Sequence, residues 1–146
     1  MDPITALWAL AALVAGAAVV AVVLRSREGR ATSVRMPDQL DPALIGAARW
    51  GESATLLQFS TEFCSRCPGV RRTLEAIARE RSGVAHIDVD LTHRADLANH
   101  FRVLQTPTTL VLDRDGVVRT RFGGAVTRAA LEREVDRITG GHRVGV

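Results

Sequence analysis

Three rhythms of apolar residues divide the chain. From Ile4 to Leu24 no side chain is charged. At 1.5 Å per helical residue such a stretch covers roughly 30 Å, the thickness of a bilayer's hydrocarbon core. No polar stripe interrupts it, so the pattern predicts a membrane-spanning helix rather than an amphipathic one. Trp8 sits near one end, as an interfacial aromatic would. From Arg25 to Gly51 the rhythm is lost among Ser, Gly, Arg, Pro and Gln. This reads as a linker. Within it Leu40, Leu44, Ile45 and Trp50 fit either a short turn packed on a domain edge or an irregular tether.

Beyond that point strand and helix periods alternate. Ala54 to Ser60 is an apolar run bounded by polar residues, which predicts a buried strand. Cys64 to Arg81 carries Val70, Leu74, Ile77 and Ala78 on one face and Arg71, Arg72, Glu75, Arg79 and Glu80 on the other. That pattern predicts a helix, ended by Ser82-Gly83. Val84 to Asp90 alternates and predicts a second strand, parallel to the first through a right-handed crossover. Asp90 or Thr92 is the expected cap of a third element from Arg94 to Phe101, with Leu97, Phe101 and Leu104 apolar. Thr109 to Leu112 and Val117 to Phe122 flank Asp113-Arg114-Asp115-Gly116, a hairpin signature. Thr127 is placed to cap a last helix to Ile138 with Ala130, Leu131, Val135 and Ile138 inward.

The order βαβ, then αββα, predicts one α/β domain: a mixed four-stranded sheet with helices on both faces. The expected divisions are a transmembrane helix over 1–25, a linker over 26–52, the domain over 53–140 and a frayed tail over 141–146.

Composition adds little to this and removes some classes. All 19 basic residues are Arg, and the net charge of +3 is scattered among interleaved acids. No clustered basic face suggests nucleic-acid binding. The basic residues nearest the apolar segment, Arg25, Arg27, Arg30 and Arg35, follow it. A secretory signal would have its positive residues before the apolar core and a small-residue cleavage site after it. The positive-inside rule then puts the C-terminal domain in the cytosol of a single-pass cell-membrane protein. The alternative is an extracytoplasmic domain. Ala12 and Gly16 form a small-xxx-small pair, a weak signal for pairing of two such helices.

The candidate chemistry is at Phe63-Cys64-Ser65-Arg66-Cys67. These are the only two cysteines, three apart, where a predicted strand hands over to a predicted helix. Two thiols so close act locally, as a redox pair or as half of a metal site. A helix N-terminus carries free N–H groups and partial positive charge, which favours the nucleophilic thiolate. Arg66 adds positive charge in the same direction.

Together these features resemble the thioredoxin family. A strand leads into Phe-Cys-x-x-Cys, which opens a helix. Thr106-Pro107-Thr108 follows about forty residues on, then a hairpin and Gly123-Gly124 before a final helix. The match covers Ser53 to Thr139, and the apolar helix outside it resembles the tethers of membrane-anchored bacterial thioredoxin-like proteins. The resemblance implies a thioredoxin-like fold without a cofactor. It implies Cys64 as the exposed attacking cysteine, Cys67 as the resolving one, and Pro107 as a cis-proline facing them. Thr106 would then offer backbone groups to an extended protein disulfide substrate, and Phe63 stands where the family usually has Trp.

Three positions depart from the family pattern. Ser65-Arg66 replaces Gly-Pro between the cysteines. Gln58 stands where the family has a buried Asp that accepts the resolving thiol's proton. His86 stands where a Lys commonly neighbours that acid, and it is a candidate substitute acceptor.

The expected chemistry is exchange: Cys64 attacks a substrate disulfide, and Cys67 then releases the reduced product. Arg66, as the cation nearest the pair, predicts a couple more oxidising than thioredoxin's about −270 mV. A metal site would need His86 or His93 to join the cysteines, and neither has the spacing, so no metal is expected. An adaptor or maturation factor for a membrane partner, without general reductase turnover, is the alternative. Peroxidase chemistry is disfavoured by the absence of a Pro-rich activating loop around Thr61-Glu62-Phe63-Cys64.

Overall fold

The computed structural model describes residues 2–27, 31–32 and 39–140. Arg30 and Arg35 of the basic flank, and the tail 141–146 with His142, lie outside the described residues. Helix α1 runs Pro3–Arg27. Its portion Pro3–Leu24 is long and apolar enough to cross a membrane, and none of it is buried within the protein. Leu7, Trp8, Leu10, Leu13 and Val22 are all exposed. One N-terminal helix of this kind serves equally as a membrane span or a signal sequence.

The sheet is assembled on the strand Ala54–Ser60, here β2, in which every residue is buried. The other strands are β1 (Ala31–Thr32), β3 (Val84–Asp90), β4 (Thr108–Asp113) and β5 (Val118–Gly123). Their order across the sheet is β1-β5-β4-β2-β3. Only β2 and β3 pair in parallel, and the remaining pairings are antiparallel. The sheet thus has five strands rather than the expected four. The addition, β1, is two residues long, too short for any alternation to announce it. It pairs Ala31 with Phe122 on the free edge of β5.

Helix α2 spans Cys67–Glu80, α3 spans Ala95–His100 and α4 spans Arg128–Gly140. One side of the sheet packs Leu56, Val111 and Phe122 against Val70, Leu74 and Ile77 of α2 and Leu131 and Val135 of α4. The opposite side packs Leu57, Phe59, Val89, Leu110 and Leu112 with Leu97 and Phe101 around α3. Each such buried side chain contributes about 1.5–3 kcal/mol of transfer free energy.

Three local expectations are corrected. Helix α2 begins at Cys67 rather than Cys64, with Arg66 as its N-cap; the residues between the cysteines form a turn. The third helix is capped at Arg94 without a side-chain bond. Asp90 instead braces its own turn, accepting from the Thr92 N–H at 2.8 Å and the Thr92 hydroxyl at 2.5 Å. Leu104 lies beyond α3 and is 95% exposed, so it does not extend the helix's apolar face.

Residues 40–50 pack on the second core. Leu40 is buried there, with Ile45 and Trp50 against it, whereas Leu44 stays exposed. A short 3-10 turn, Pro42–Ile45, is capped by the Asp41 carboxylate, which accepts from the Ala43 N–H at 2.9 Å. The Trp50 indole donates to the Leu40 carbonyl at 2.9 Å, and the Leu40 N–H donates to the Gly116 carbonyl at 3.0 Å. Gly116 closes the hairpin at φ +78°, and a Cβ there would meet Trp50 Nε1 at 2.4 Å. Two independent constraints therefore demand glycine.

Gly116→Ala should cost about 2 kcal/mol or more, from left-handed strain plus displacement of Trp50. Denaturant unfolding of the detergent-solubilised chain, followed by Trp fluorescence, measures it. A second expectation concerns His86. Burial beneath α2 pushes its imidazole below the ordinary value of 6.5, against the opposing pull of Asp88 and Glu75. The unfolded chain then binds the proton more readily than the folded one. This contribution is complete above pH 6.5 and is lost as pH falls through 6.5 toward the lower folded value. Urea unfolding on the two sides of that value should show a larger acid loss for wild type than for His86→Gln.

Candidate active site

The pairing of β2 with β4 brings the site together. Phe59 lies opposite Thr108 in that antiparallel register. The chain leaving β2 toward the cysteines therefore runs beside the chain entering β4 from Pro107. The Thr61 and Thr106 hydroxyls join the two segments at 3.3 Å. On the other flank the Glu62 N–H donates to the Thr92 hydroxyl at 3.0 Å, which ties the same loop to the turn after β3.

Cys64 and Cys67 are joined as a disulfide with their Cα atoms 5.4 Å apart. The Cys64 N–H donates to the Thr61 carbonyl, and the Cys67 N–H donates to the Cys64 carbonyl, each at 3.2 Å. Cys67 is 3% exposed under the first turn of α2, while Cys64 is only partly covered. The two sulfurs are thus unequal: an incoming group reaches Cys64 first. The partial positive charge of the α2 N-terminus falls on Cys67 and on the turn before it.

The Thr106–Pro107 peptide is cis. Pro107 is buried, and its carbonyl accepts from the Gly124 N–H at 2.8 Å, so the Gly123-Gly124 turn holds the proline loop from behind. Thr106 is half-buried beside it. Phe63 is 87% exposed at the rim. Leu104 is exposed on the proline loop, and the Gln105 side chain crosses Gly123, where a Cβ would meet its Nε2 at 2.5 Å.

Gln58 is fully buried behind the pair and donates from Nε2 to the Cys67 carbonyl at 3.1 Å. In register Gln58 faces Asp88 on β3 and Thr109 on β4. His86 faces Leu56 instead, two residues from that row. Arg66 is exposed at the N-cap of α2. Among the described residues, no three side chains of His, Cys, Asp and Glu gather as a metal site would require.

The structure thus brings Cys64, Cys67, Gln58, Pro107 and Thr106 together, with Arg66 and Phe63 at the edge and His86 farther along β3. Sequence reasoning missed Thr61, Thr92 and Gln105. The first two act through single hydroxyls in loops, which carry no periodic signal. Gln105, two residues before Pro107, was readable only as part of the proline loop.

Comparison with known proteins agrees with this geometry. The Thioredoxin family model matches residues 47–137. A thioredoxin of Mycolicibacterium smegmatis is 33% identical over 111 residues, covering 74% of this chain and 95% of that protein. A thioredoxin of Mycobacterium tuberculosis is 38% identical over 86 residues, covering 57% of this chain and 72% of the relative. Among solved structures, chloroplastic thioredoxin z superposes with a TM-score of 0.56 at 25% identity, over 62% of this chain and 81% of that one. Fasciola hepatica thioredoxin gives 0.53 at 25% identity, over 60% and 83%. A helix-opening disulfide beside a cis-proline and a family match that spans β2 to β5 lead to one conclusion: the chain belongs to the thioredoxin family of thiol–disulfide oxidoreductases.

Proposed function

We propose that the protein is a membrane-tethered thiol–disulfide oxidoreductase that exchanges electrons with protein disulfides through Cys64 and Cys67. The observation that carries this reading is the unequal pair: a reachable Cys64 bonded to a buried Cys67, beside the cis Thr106–Pro107 loop. In the reducing direction the Cys64 thiolate attacks one sulfur of a substrate disulfide. A Cys64–substrate mixed disulfide forms and the other substrate sulfur leaves as thiolate. Cys67 then attacks Cys64 Sγ, closes the intramolecular disulfide and releases the second substrate thiolate. Two electrons have passed from the dithiol to the substrate.

In this reading Thr106 offers its backbone to an extended substrate segment, in the manner of an added strand. Phe63 supplies apolar contact at the rim. Arg66 favours the thiolate at Cys64, and Gln58 orients Cys67 through its carbonyl. α1 anchors the domain, and the basic residues after it favour a cytosolic domain.

Reduction of insulin disulfides by the full chain with dithiothreitol should proceed in wild type and fall to the uncatalysed rate in Cys64→Ser. Equal rates in both would leave an adaptor that merely retains its cysteines. Equilibration with glutathione buffers should give a reduction potential above about −270 mV, and a lower value removes the role given to Arg66. The chain should remain in membranes through alkaline carbonate extraction, and a cysteine added at the tail should resist impermeant maleimide in intact cells. Release at high pH would favour a cleaved signal, and labelling from outside an extracytoplasmic domain.

A further inference from the structure

A resolving thiol must lose its proton before it can attack. On this chain the strand position behind it holds Gln58, an amide that takes no proton near neutral pH. The side chains around Gln58 form a polar row across the sheet under α2. Asp88 and Thr109 flank Gln58 in register on β3 and β4. Gln58 and Thr109 are wholly buried.

Three atoms of this row, Gln58 Oε1, Asp88 Oδ1 and Thr109 Oγ1, are buried without a hydrogen-bond partner among the described residues. Buried polar atoms ordinarily have one. The Gln58 and Asp88 oxygens are both pure acceptors, so they cannot satisfy each other. A single water between neighbouring side chains would donate to both and keep its lone pairs for a donor such as the Cys67 S–H or the Thr109 hydroxyl. The remainder of Asp88 is fixed. Its Oδ2 accepts from the Ser60 hydroxyl at 3.1 Å and pairs with the Arg71 guanidinium of α2. Arg71 is half exposed, so the row ends at solvent.

We propose that Asp88 is the proton acceptor for Cys67, working through a water shared with Gln58, so that the acid of this site stands on β3 instead of β2. The proposal rests on the exchange reading given above. In the step concerned, the Cys67 S–H proton passes to the water and a water proton passes to the Asp88 carboxylate. The Cys67 thiolate attacks Cys64 Sγ, the bond from Cys64 to the substrate sulfur breaks, and the substrate leaves as thiolate. Asp88 returns its proton to solvent past Arg71. The titratable and charged groups near Asp88 are Arg71 on α2, which pairs with it, and, two residues to either side on β3, Asp90 and the imidazole of His86, whose Nε2 is likewise buried without a partner among the described residues and on which Glu75 of α2 also acts. β2 presents only neutral Gln58 and Ser60.

The test uses the reduced full chain in detergent and the disulfide reagent 5,5′-dithiobis(2-nitrobenzoate). Attack by Cys64 releases one thionitrobenzoate, and closure by Cys67 releases the second. Asp88→Asn should leave the first phase unchanged and slow the second on the order of 10²-fold near neutral pH, the lower end of what a positioned acid–base group contributes. The second phase should recover only as pH approaches about 8.5, where an ordinary thiol ionises unaided. Adding Gln58→Asp to that variant should restore the rate, and His86→Gln alone should leave it unchanged. A second phase in Asp88→Asn with wild-type rate and pH profile overturns the proposal. Equal slowing of both phases also overturns it, since displacement of α2 would do that. So does slowing by His86→Gln alone, which would make His86 the acceptor. Release of no thionitrobenzoate by wild type would instead sink the exchange reading itself.

Discussion

The antiparallel pairing of β2 with β4 is the constraint on which the site depends. Phe59 opposite Thr108 fixes where the chain leaves one strand and enters the other. The cysteine turn is the exit from β2 and the cis-proline is the entrance to β4, so neither can shift without a slip in register. A one-residue slip would turn every side chain of β2 to the opposite face. It would expel Gln58 from behind Cys67 and bring Leu57 or Phe59 into its place. Because both faces of β2 are covered, two hydrophobic cores resist that slip at once.

Loops hold the rest, and they do so with few bonds. Thr61 to Thr106, Glu62 to Thr92 and Gly124 to Pro107 each bridge elements far apart in sequence. They leave the outer surface at Cys64 open: its neighbour Phe63 stands exposed, as does Leu104 on the proline loop. An exposed apolar rim with a fixed interior suits a site that receives an extended chain. Exchange then requires little of the protein beyond holding two sulfurs at unequal depths.

Much of this was legible in the sequence, for reasons that can be named. The run Ala54–Ser60 is apolar on both faces and flanked by polar residues, so it could only be an interior strand. The helix after the cysteines has a clean apolar stripe at Val70, Leu74 and Ile77. The Asp-Gly turn announces the hairpin. The cis state of Pro107 came from family resemblance, since its sequence neighbours do not set the isomer. What could not be read has physical causes too. β1 is too short to show a period. Leu104 matches the spacing of Leu97 and Phe101, but α3 ends before reaching it. Alternation put His86, Asp88 and Asp90 on the polar side of β3, the side a reader assigns to solvent. Alternation reveals which face a residue takes, not what covers that face, and here α2 covers it. The buried row through Asp88, Gln58 and Thr109 became visible only with the register.

Exchange at this site depends on a division of labour between two unequal sulfurs, which trapping of the mixed disulfide probes. A Cys67→Ser chain, reduced and mixed with a disulfide-bonded peptide, can be analysed by intact-mass spectrometry under non-reducing conditions. Unequal sulfurs predict a lasting peptide adduct on Cys64 in that variant, and none on Cys67 when Cys64 is replaced by Ser. Adducts of equal yield on either cysteine would contradict it.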